Sequence, residues 1–484
     1  MTTSHSVGIT AYGVFLPRLR MARSAIAQAH AWAFPSMRGK GHKALCSWDE
    51  DSITLAVEAA RDCLGARREK IGRLMLASTT APFADLQNAS TVATALGLPG
   101  QISCADLGGS TRAGLAGLVS ELSNPEQRQR LVVASERRLA RPASAQEMSY
   151  GSGAVAIQVG EGERLASYLG SESLSVPFID HYRMNGQDYD YYAEERWIRD
   201  EGVGRLVPAT VAALLKKTAV SAADISWFGL SGAPKGSDKL LGNKLGIGGA
   251  TLLDDFQEGV GDIGAAHSLL QLADALEKAE PGQVIMLVAF GQGCDVALFR
   301  KEAGTRRPQR GVRGALGEGI EETSYLKMLS FAGELNVDWG PRSEVDTKAS
   351  IAQQYRAHEQ ILSFTGGKCQ GCGSIQFPSL PNCVNCGEAD SQLPVSLADQ
   401  RAQVATLSAD WLQYYPAPPL YVGLVQFDNG ARLLMEIVDV GKQELDVGTP
   451  LKMVFRVKAN DRLRGYRRYF WKAVPAIEST PSIS

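Results

Sequence analysis

Apolar residues in the first 300 positions follow two patterns, which are short uninterrupted runs and longer stretches with apolar residues every three or four positions. Short runs predict buried strands, and a period near 3.6 predicts helices with one buried face. The predicted strands are 7–18, 74–77, 130–134, 149–159, 225–230 and 284–290. The predicted helices are 49–60, 211–218 and 262–279. Strands that alternate with helices indicate a layered α/β architecture.

The stretch Cys104–Leu118 is rich in small residues and lies between two of these predicted strands. We expect a turn that leads into a Gly/Ala-rich helix, because glycine and alanine let helix backbones pack closely between layers. The start of a buried helix carries unpaired N–H groups that favour an anion. Such a position is typical of an activated nucleophile or a charged catalytic group.

The pattern changes after residue 304. The segment 305–314 is basic and contains glycine and proline, which predicts a linker. This segment is either a solvated loop or a contact for an acidic ligand such as CoA. Residues 346–362 are predicted to be helical, and the short β segments that follow, with their hairpin turns, predict a small barrel. These segments are 402–408, 420–427, 431–438 and 451–458.

Two Cys-x-x-Cys pairs precede the predicted barrel, at Cys369/Cys372 and Cys383/Cys386. Each pair can hold one side of a tetrahedral ion, and a glycine follows each pair where the turn is tight. Four protein ligands leave no open coordination position, so the pattern predicts structural zinc. A redox-active dithiol is the alternative.

Composition excludes several classes of protein. The 484 residues carry a net charge of −2, which gives no electrostatic basis for binding nucleic acid or an anionic membrane. The chain contains no apolar run of membrane-spanning length and no signal-like N-terminal pattern, so we expect a cytoplasmic protein. The eight cysteines do not suggest a disulfide framework, and those outside the two pairs are expected to be buried thiols.

Residues 104–118 resemble the nucleophile helix of the thiolase superfamily, nearest to its 3-hydroxy-3-methylglutaryl-CoA synthase branch. In that branch a cysteine precedes a Gly-Gly-Thr-Ala-Ala-like run. Aligning Gly108-Gly109-Ser110 on this run places Asp106 at the nucleophile position, with Cys104 two residues earlier. Residues 149–159 and 284–293 match the segments that close the two halves of these proteins.

The resemblance implies an internally duplicated, five-layer thiolase fold, which is usually dimeric. The zinc ribbon and barrel resemble acyl-CoA-associated OB-fold proteins that accompany thiolase-like subunits as separate chains. The expected domains are two thiolase-like halves, a linker, a helix with the zinc ribbon, and the OB-fold. Their expected ranges are 1–165, 166–303, 304–345, 346–390 and 391–475.

The same resemblance indicates that the usual catalytic groups are replaced. Thr79 stands where the synthase branch has a glutamate, Gly232 where it has a histidine, and Asp262 where the superfamily has an asparagine. Without a nucleophilic cysteine, a retro-aldol reaction is a better match than an acyl-enzyme, because it needs only a base and donors for an enolate. Asp106 and Asp262 can supply the base, and the turn Gly291–Gly293 can supply N–H groups to the thioester.

Further candidates come from the histidines, tyrosines and lysines. His267 is either a general acid/base or a core histidine satisfied by the backbone. His181, Tyr182 and Arg183 lie in a segment that lines the substrate pocket of the synthase branch. Tyr182 is a second acid/base candidate, and Tyr189, Tyr191 and Tyr192 are either site residues or ordinary packing. The lysines of the 235–244 region, which are Lys235, Lys239 and Lys244, either bind CoA phosphates or form a solvated helix face.

Our leading hypothesis from the sequence is a lyase of the aldolase type. It would cleave or form a 3-hydroxyacyl-CoA, with Asp106 and His267 as acid/base groups and Asp262 orienting them. The substrate would be a small-molecule acyl-CoA, and the protein would be a homodimer. The alternatives are an acyltransferase or Claisen-type synthase that uses Cys104, and a non-catalytic scaffold that binds acyl-CoA.

Overall fold

The computed structural model describes residues 7–68, 70–124, 128–342, 347–348, 350–441 and 444–476. The chain divides into two compact units. Unit 1 consists of Met1–Cys46, Asp51–Ala93 and Leu98–Tyr325, and unit 2 consists of Ser47–Glu50, Thr94–Gly97 and Leu326–Ser484.

The strands and helices of unit 1 match most of the predicted segments. The strands are β1 (Gly8–Phe15), β2 (Leu19–Ala22), β3 (His42–Leu45), β4 (Ile71–Ala77), β5 (Ser103–Leu107), β6 (Gln129–Arg137), β7 (Ser152–Gly160), β8 (Ala166–Ser175), β9 (His181–Tyr182), β10 (Tyr191–Tyr192), β11 (Ile225–Ser231), β12 (Thr251–Leu252), β13 (Val284–Phe290), β14 (Gly293–Lys301) and β15 (Ile320–Glu322). The helices are α1 (Arg23–His30), α2 (Ser52–Leu64), α3 (Asn88–Ala95), α4 (Ala113–Ser123), α5 (Ala145–Ser149), α6 (Glu195–Trp197), α7 (Gly204–Thr218), α8 (Ser237–Lys244), α9 (His267–Lys278) and α10 (Gly311–Gly317).

One sheet organises unit 1 and shows the internal duplication. In the described residues its strand order is β12-β11-β13-β14-β8-β1-β7-β6-β4-β5. On one side β5, β4 and β6 are parallel, and β7 and β1 are antiparallel to their neighbours. On the other side β12, β11 and β13 are parallel, and β14 and β8 are antiparallel. The antiparallel pair β1–β8 joins the two halves, so each half repeats the same plan.

The Gly/Ala-rich helix predicted after Cys104 is α4, and it packs closely at the start of α9. A Cβ atom on Gly114 would lie 2.0 Å from the carbonyl oxygen of Ala265, so only glycine fits there. The helix predicted at 262–279 begins at His267, after a 3₁₀ turn at Gly264–Ala266. The first residues of α4 and α9, Ala113 and His267, are both buried.

The expected linker 304–345 does not behave as a linker over its first twenty residues, which belong to unit 1. Arg306 donates to the side chain of Gln158 and to the carbonyl of Cys63, at 2.8 and 2.9 Å. Val312 in α10 is buried. The basic residues of this segment thus hold it against unit 1, because guanidinium groups can satisfy buried carbonyls.

Unit 2 contains a small cysteine-rich sheet and a closed barrel. Its helices are α11 (Tyr325–Ala332, with its first residue in unit 1), α12 (Ile351–Arg356) and α13 (His358–Ile361). Its strands are β16 (Thr365–Cys369), β17 (Ile375–Gln376), β18 (Gln392–Ser396), β19 (Ala402–Val404), β20 (Ser408–Asp410), β21 (Leu420–Phe427), β22 (Arg432–Ile437), β23 (Pro450–Asp461) and β24 (Tyr466–Pro475). Among the described residues, β19-β23-β24-β22-β21 close on themselves through β19–β21, which makes a five-stranded barrel.

Strand β24 was absent from the sequence prediction and supplies a buried lysine to unit 2. The Lys472 ammonium lies 2.9 Å from carboxylate oxygens of both Asp49 and Glu436. Arg456 on β23 lies 3.0 Å from Glu50. The segment Ser47–Glu50 is therefore held in unit 2 by paired charges, which is how buried ions are tolerated.

Among the described residues, no helix combines the length and apolar character needed to cross a membrane.

Candidate active site

A cavity of about 470 Å³ opens in unit 1 at the start of α9, and we call it the first cavity. Its walls come from the loop after β11, the helix α5, the strand β10 and the residues before α9. The lining residues are Ala145, Gln146, Ser149, Tyr150, Tyr192, Ala193, Glu195, Leu230, Ser231, Gly232, Ala233, Pro234, Lys235, Gly236, Asp238, Asp255, Gln257, Asp262 and His267. Four residues predicted from sequence, namely Gly232, Lys235, Asp262 and His267, therefore share one cavity.

A buried arginine holds the carboxylate of this cavity. One guanidinium nitrogen of Arg138 lies 2.5 Å from Asp262 Oδ2, and another lies 3.1 Å from Asp190 Oδ2. Only 4% of the Arg138 side chain is exposed, whereas 25% of the Asp262 side chain is exposed. The Arg138 guanidinium also lies 3.4 Å from the centre of the Tyr150 ring. Asp262 is thus the most exposed of the three charged groups in this network, since only 7% of the Asp190 side chain is exposed.

The electrostatics keep Asp262 ionised. Burial alone would raise the pKa of Asp262, but Arg138, His267 and the Gly264 N–H lower it below its ordinary value overall. Burial alone would lower the pKa of Arg138, yet Asp262, Tyr150 and Asp190 raise it overall. The pair therefore stays charged near neutral pH, and the carboxylate is oriented by a fixed cation.

His267 is buried beside Asp262, but its ring nitrogens face the backbone. Its Nδ1 accepts the Ile263 N–H at 3.4 Å, and it also hydrogen-bonds the backbone of Asp255. Its Nδ1 lies 3.8 Å from Asp262 Oδ1. Burial lowers the pKa of His267 below 6.5, although Asp262 and Asp255 oppose the shift. Of the two sequence interpretations, the geometry favours the satisfied core histidine.

Two tyrosines give the cavity hydroxyl groups. The Tyr150 hydroxyl donates to Asp190 Oδ2 at 2.9 Å, which ties it to the arginine network. Burial, with Asp262 nearby, raises the pKa of Tyr192 to about 12. Tyr192 therefore remains protonated at neutral pH and can act as a hydrogen-bond donor. The sequence analysis missed Arg138, Asp190 and Tyr150, although Arg138 lies only four residues after the predicted strand at 130–134 and directly follows β6.

A second cavity of about 420 Å³ shares Gln146, Tyr150 and Tyr192 with the first. Its other lining residues are Leu139, Ala140, Arg141, Ser144, Tyr182, Arg183, Met184, Gln187, Tyr189, Asp190 and Tyr191. Arg183 lies 3.0 Å from Asp190 Oδ1 and also donates to the carbonyl of Thr79. Tyr182 and Arg183, which we predicted as site residues, thus line this second cavity.

Asp106 is not at the start of α4, which corrects the sequence alignment. It lies in β5, and its carboxylate accepts the N–H groups of Asn88 and Ala89, both at 2.7 Å. Asp106 therefore caps α3, because the first N–H groups of a helix lack partners within the helix. It does not line either cavity among the described residues.

The start of α4 carries hydroxyl residues that are tied to the loop after β13. Ser110 donates to the carbonyl of Gly291 at 3.2 Å, and Thr111 donates to the carbonyl of Phe290 at 3.3 Å. Gly232 has φ of +75°, and a Cβ atom there would lie 2.1 Å from the Phe290 oxygen. Any side chain at Gly232 would therefore clash with the backbone at Phe290 in this conformation.

Two of the N–H groups in the turn Gly291–Gly293, which we expected to meet a thioester, have partners within the protein. The Gly291 N–H donates to the carbonyl of Gly293 at 3.0 Å, and the Gln292 N–H donates to Asp180 at 2.9 Å. Asp180 in turn lies 2.5 Å from His181 Nδ1. This turn is thus held by internal hydrogen bonds and lies outside both sets of lining residues.

The three lysine candidates lie in different surroundings, and one of them lines the first cavity. Lys235 is exposed and lines the first cavity. Lys244 donates to the carbonyl of Gly204 at 2.9 Å, and Lys239 lies exposed on α8 outside the cavity lining. Lys235 is therefore the lysine placed to meet a phosphate at this cavity.

No cysteine lines either cavity in the described part of the chain. Cys104 lies on β5, where burial and the neighbouring Asp106 raise the pKa of its thiol. Cys294 is buried, and its sulfur lies 3.1 Å from the Thr210 hydroxyl. A thiol with a raised pKa is a poor nucleophile at neutral pH, so the geometry does not support Cys104 in an acyl-transfer role.

Thr79, which the sequence resemblance places at the glutamate position of the synthase branch, binds a buried glutamate from the neighbouring strand. Glu136 Oε1 accepts the Thr79 N–H and hydroxyl at 2.8 and 2.9 Å, and the Thr80 hydroxyl donates to Oε2 at 2.5 Å. Burial raises the pKa of Glu136 despite these bonds. Glu136 also accepts the Ala265 N–H at 3.3 Å, so this carboxylate positions the turn before α9.

In unit 2 the four paired cysteines come together. Their sulfur atoms all lie within 4.8 Å of one another. Cys369 and Cys386 are 3.7 Å apart, and Cys372 and Cys383 are 3.6 Å apart. A tetrahedron of sulfurs about 2.3 Å from zinc has edges of roughly 3.8 Å, so the spacing is suited to that ion.

Comparisons with known proteins agree with this architecture. Residues 401–456 match the family described as ChsH2, C-terminal OB-fold domain. The hydroxymethylglutaryl-CoA synthase of Archaeoglobus fulgidus is 28% identical over 308 residues, which are 60% of this chain and 88% of that protein.

Solved structures show the same fold. MvaS in complex with 3-hydroxy-3-methylglutaryl coenzyme A has a TM-score of 0.56 at 18% identity, over 71% of this chain and 94% of that chain. OleA of Xanthomonas campestris, with bound lauric acid and lauroyl-CoA, has a TM-score of 0.54 at 20% identity, over 61% and 99%. The chain therefore joins a thiolase-like unit that resembles hydroxymethylglutaryl-CoA synthases to a C-terminal OB-fold domain of the ChsH2 type.

Proposed function

We propose that unit 1 is an enzyme that makes or breaks a carbon–carbon bond beside the carbonyl of a CoA thioester. The observation that carries this proposal is the ionised Asp262 carboxylate, held by Arg138 in a cavity that the Tyr192 hydroxyl also lines. The resemblance to hydroxymethylglutaryl-CoA synthases supports a CoA thioester as substrate. The reaction class is aldol chemistry, which needs a base and an enolate-stabilising donor.

The residues take the following roles in the cleavage direction. Asp262 accepts the proton of the substrate's 3-hydroxyl group as the C2–C3 bond breaks and a carbonyl forms at C3. The electron pair of that bond moves onto the thioester as an enolate, and the Tyr192 hydroxyl donates a hydrogen bond to its oxygen. Asp262 then gives the proton it accepted to C2, which releases the shorter acyl-CoA and restores the carboxylate. The synthetic direction reverses these steps with the same groups.

Synthesis is the direction that the relatives favour, because the protein from Archaeoglobus fulgidus is named a synthase. An acyltransferase or Claisen-type reaction is the second candidate, and the same relatives support it. It would need a covalent acyl carrier, and the first cavity offers no thiol among its described lining residues. We therefore retain aldol chemistry without an acyl-cysteine as the main proposal.

Turnover assays test the proposal in both directions. The full chain would be given a set of 3-hydroxyacyl-CoAs, and separately a short acyl-CoA with an aldehyde or ketone. Mass spectrometry would detect the shorter acyl-CoA or the condensation product. Absence of both activities would leave a scaffold that binds acyl-CoA, and accumulation of an acyl-enzyme would favour the second candidate.

We further propose that the four cysteines of unit 2 hold one structural zinc ion. The two sulfur–sulfur distances near 3.7 Å support this, and four thiolates leave no open position for catalysis. When bound, the ion would join the two Cys-x-x-Cys turns and stabilise the small sheet β17-β16-β18.

A homodimer is also part of the proposal. Strand β5 lies at the edge of the main sheet in the described residues, and such an edge can pair with a second copy. The carbonyl of Cys104 faces away from β4, towards the side chain of Gln87, so the N–H of Cys104 also lies on the open edge. Replacing Cys104 by proline would remove that donor, and we expect sedimentation to report a dimer for the native chain and a monomer for Cys104→Pro.

A further inference from the structure

Tyrosine rings dominate the walls of the second cavity. Tyr150, Tyr182, Tyr189, Tyr191 and Tyr192 all line it. The short strands β9 and β10 place Tyr182 opposite Tyr191, with ring centres 5.2 Å apart and planes tilted by 34°. Half of Tyr182 and 62% of Tyr191 remain exposed, so these rings present open faces rather than packing into the core.

A wall of tyrosine rings favours aromatic groups over saturated apolar groups. Aromatic rings attract other rings through offset or edge-to-face contacts, which add to the area that is buried. A saturated chain would bury apolar area against these rings but would make no ring–ring contact. The Arg141 guanidinium lies 5.6 Å from the Tyr189 ring centre on the same wall.

The second cavity borders the first, because the two share lining residues. Tyr150 and Tyr192 line both, and Asp262 lies on the first side of them. A thioester carbon held near Asp262 would therefore direct its acyl group past these two rings. The size of about 420 Å³ is within the ordinary range for a small-molecule pocket, so it can hold a ring with its linker.

We propose that the second cavity receives the acyl group of the substrate and selects acyl groups that carry an aromatic ring. This inference rests on the proposed function, because it assumes that a CoA thioester occupies the first cavity. The ring contacts Tyr182 and Tyr191, and the alkyl linker passes between Tyr150 and Tyr192.

A binding experiment tests the inference without requiring turnover. Calorimetric titration of the full chain would compare 3-phenylpropanoyl-CoA, 3-cyclohexylpropanoyl-CoA and nonanoyl-CoA, which have the same number of acyl carbons. We expect the phenyl compound to bind about three- to tenfold more tightly than the other two. Tyr191→Leu should remove most of this preference, and Tyr191→Phe should keep it. Tyr355→Leu, at an exposed tyrosine of unit 2, is the control and should change nothing.

The outcomes separate this inference from the proposed function. Equal or tighter binding of the cyclohexyl or nonanoyl compound overturns the aromatic selection, even if turnover is found. A ring preference that depends on Tyr191 upholds the selection, even if none of the compounds is turned over. Failure of all three thioesters to bind overturns both.

Discussion

Arg138 and Asp262 form a contact of 2.5 Å between a fully buried guanidinium and a carboxylate that reaches the first cavity. Arg138 is also bound to Asp190, so it cannot move without breaking a second ion pair. The arrangement fixes the position of Asp262 and keeps its pKa below its ordinary range. A carboxylate held in this way is ionised at neutral pH and does not need a conformational change before it accepts a proton.

Replacing Asp262 by asparagine should reduce turnover by about 10²- to 10⁴-fold, because the variant keeps the shape of the side chain but cannot accept a proton. Binding of the CoA thioester should change much less. Steady-state kinetics and calorimetry on the same preparation measure the two effects. Asp238→Asn is the control, since Asp238 lines the same cavity without contacting Arg138. Equal losses in the two variants would contradict the role of Asp262.

Cys104→Ala should leave turnover unchanged, because the thiol lies on β5 and outside both cavities. Incubation with a radiolabelled acyl-CoA, followed by denaturation, should recover no label on the chain. Label on any of Cys46, Cys63, Cys104 or Cys294 would instead establish a covalent acyl carrier. That result would favour the acyltransferase candidate over aldol chemistry.

Elemental analysis of the native chain should find about one zinc ion per molecule, given the four clustered sulfurs. Cys372→Ser should lose most of that zinc and lower the unfolding temperature of unit 2, since metal binding contributes to folding. Cys104→Ser, a change outside the cluster, should retain the metal. A native chain that contains no zinc after expression in zinc-supplemented medium would contradict the proposed site.

Glu50 should make the stability of unit 2 depend on pH. Burial raises the pKa of Glu50 to about 7, although the Arg456 guanidinium opposes the shift. The folded state therefore binds the proton more tightly than the unfolded state, whose pKa is near 4.5. The tighter binding of this proton stabilises the folded state. That stabilisation is fully present below the unfolded pKa and is lost as the pH rises through the folded pKa.

Glu50→Gln has no proton to lose and should not show this dependence. Urea unfolding at about pH 5 and about pH 8 measures it. The free energy of unfolding of the native chain should fall relative to that of the variant between these two conditions. Glu359→Gln, at an exposed position of α13, controls for general charge effects. A constant difference between native chain and Glu50→Gln at both pH values would show that Glu50 remains ionised throughout.

Gly232→Ala should destabilise unit 1 by about 1–3 kcal/mol, because the added Cβ meets the Phe290 carbonyl oxygen in addition to the strain of a positive φ. Gly236→Ala is a close control. Gly236 has a similar φ of +81°, but a Cβ atom there would have no neighbour within 4 Å. The difference between the two variants in chemical unfolding isolates the clash. Equal destabilisation would show that the backbone at Phe290 can shift.

The sequence by itself determined the main strands and helices of unit 1, four of the five barrel strands of unit 2 and the spacing of the four cysteines, because each depends on local periodicity or spacing. It also supplied Asp262, His267, Gly232 and Lys235, which the fold brings to one cavity. Only the tertiary structure decided which carboxylate reaches that cavity: Asp106 caps α3, whereas Asp262 meets Arg138. The physical reason is that a side chain's role depends on partners far along the chain. Arg138 and Asp262 are brought together by β6 and the turn before α9, and no local pattern in the sequence encodes that contact.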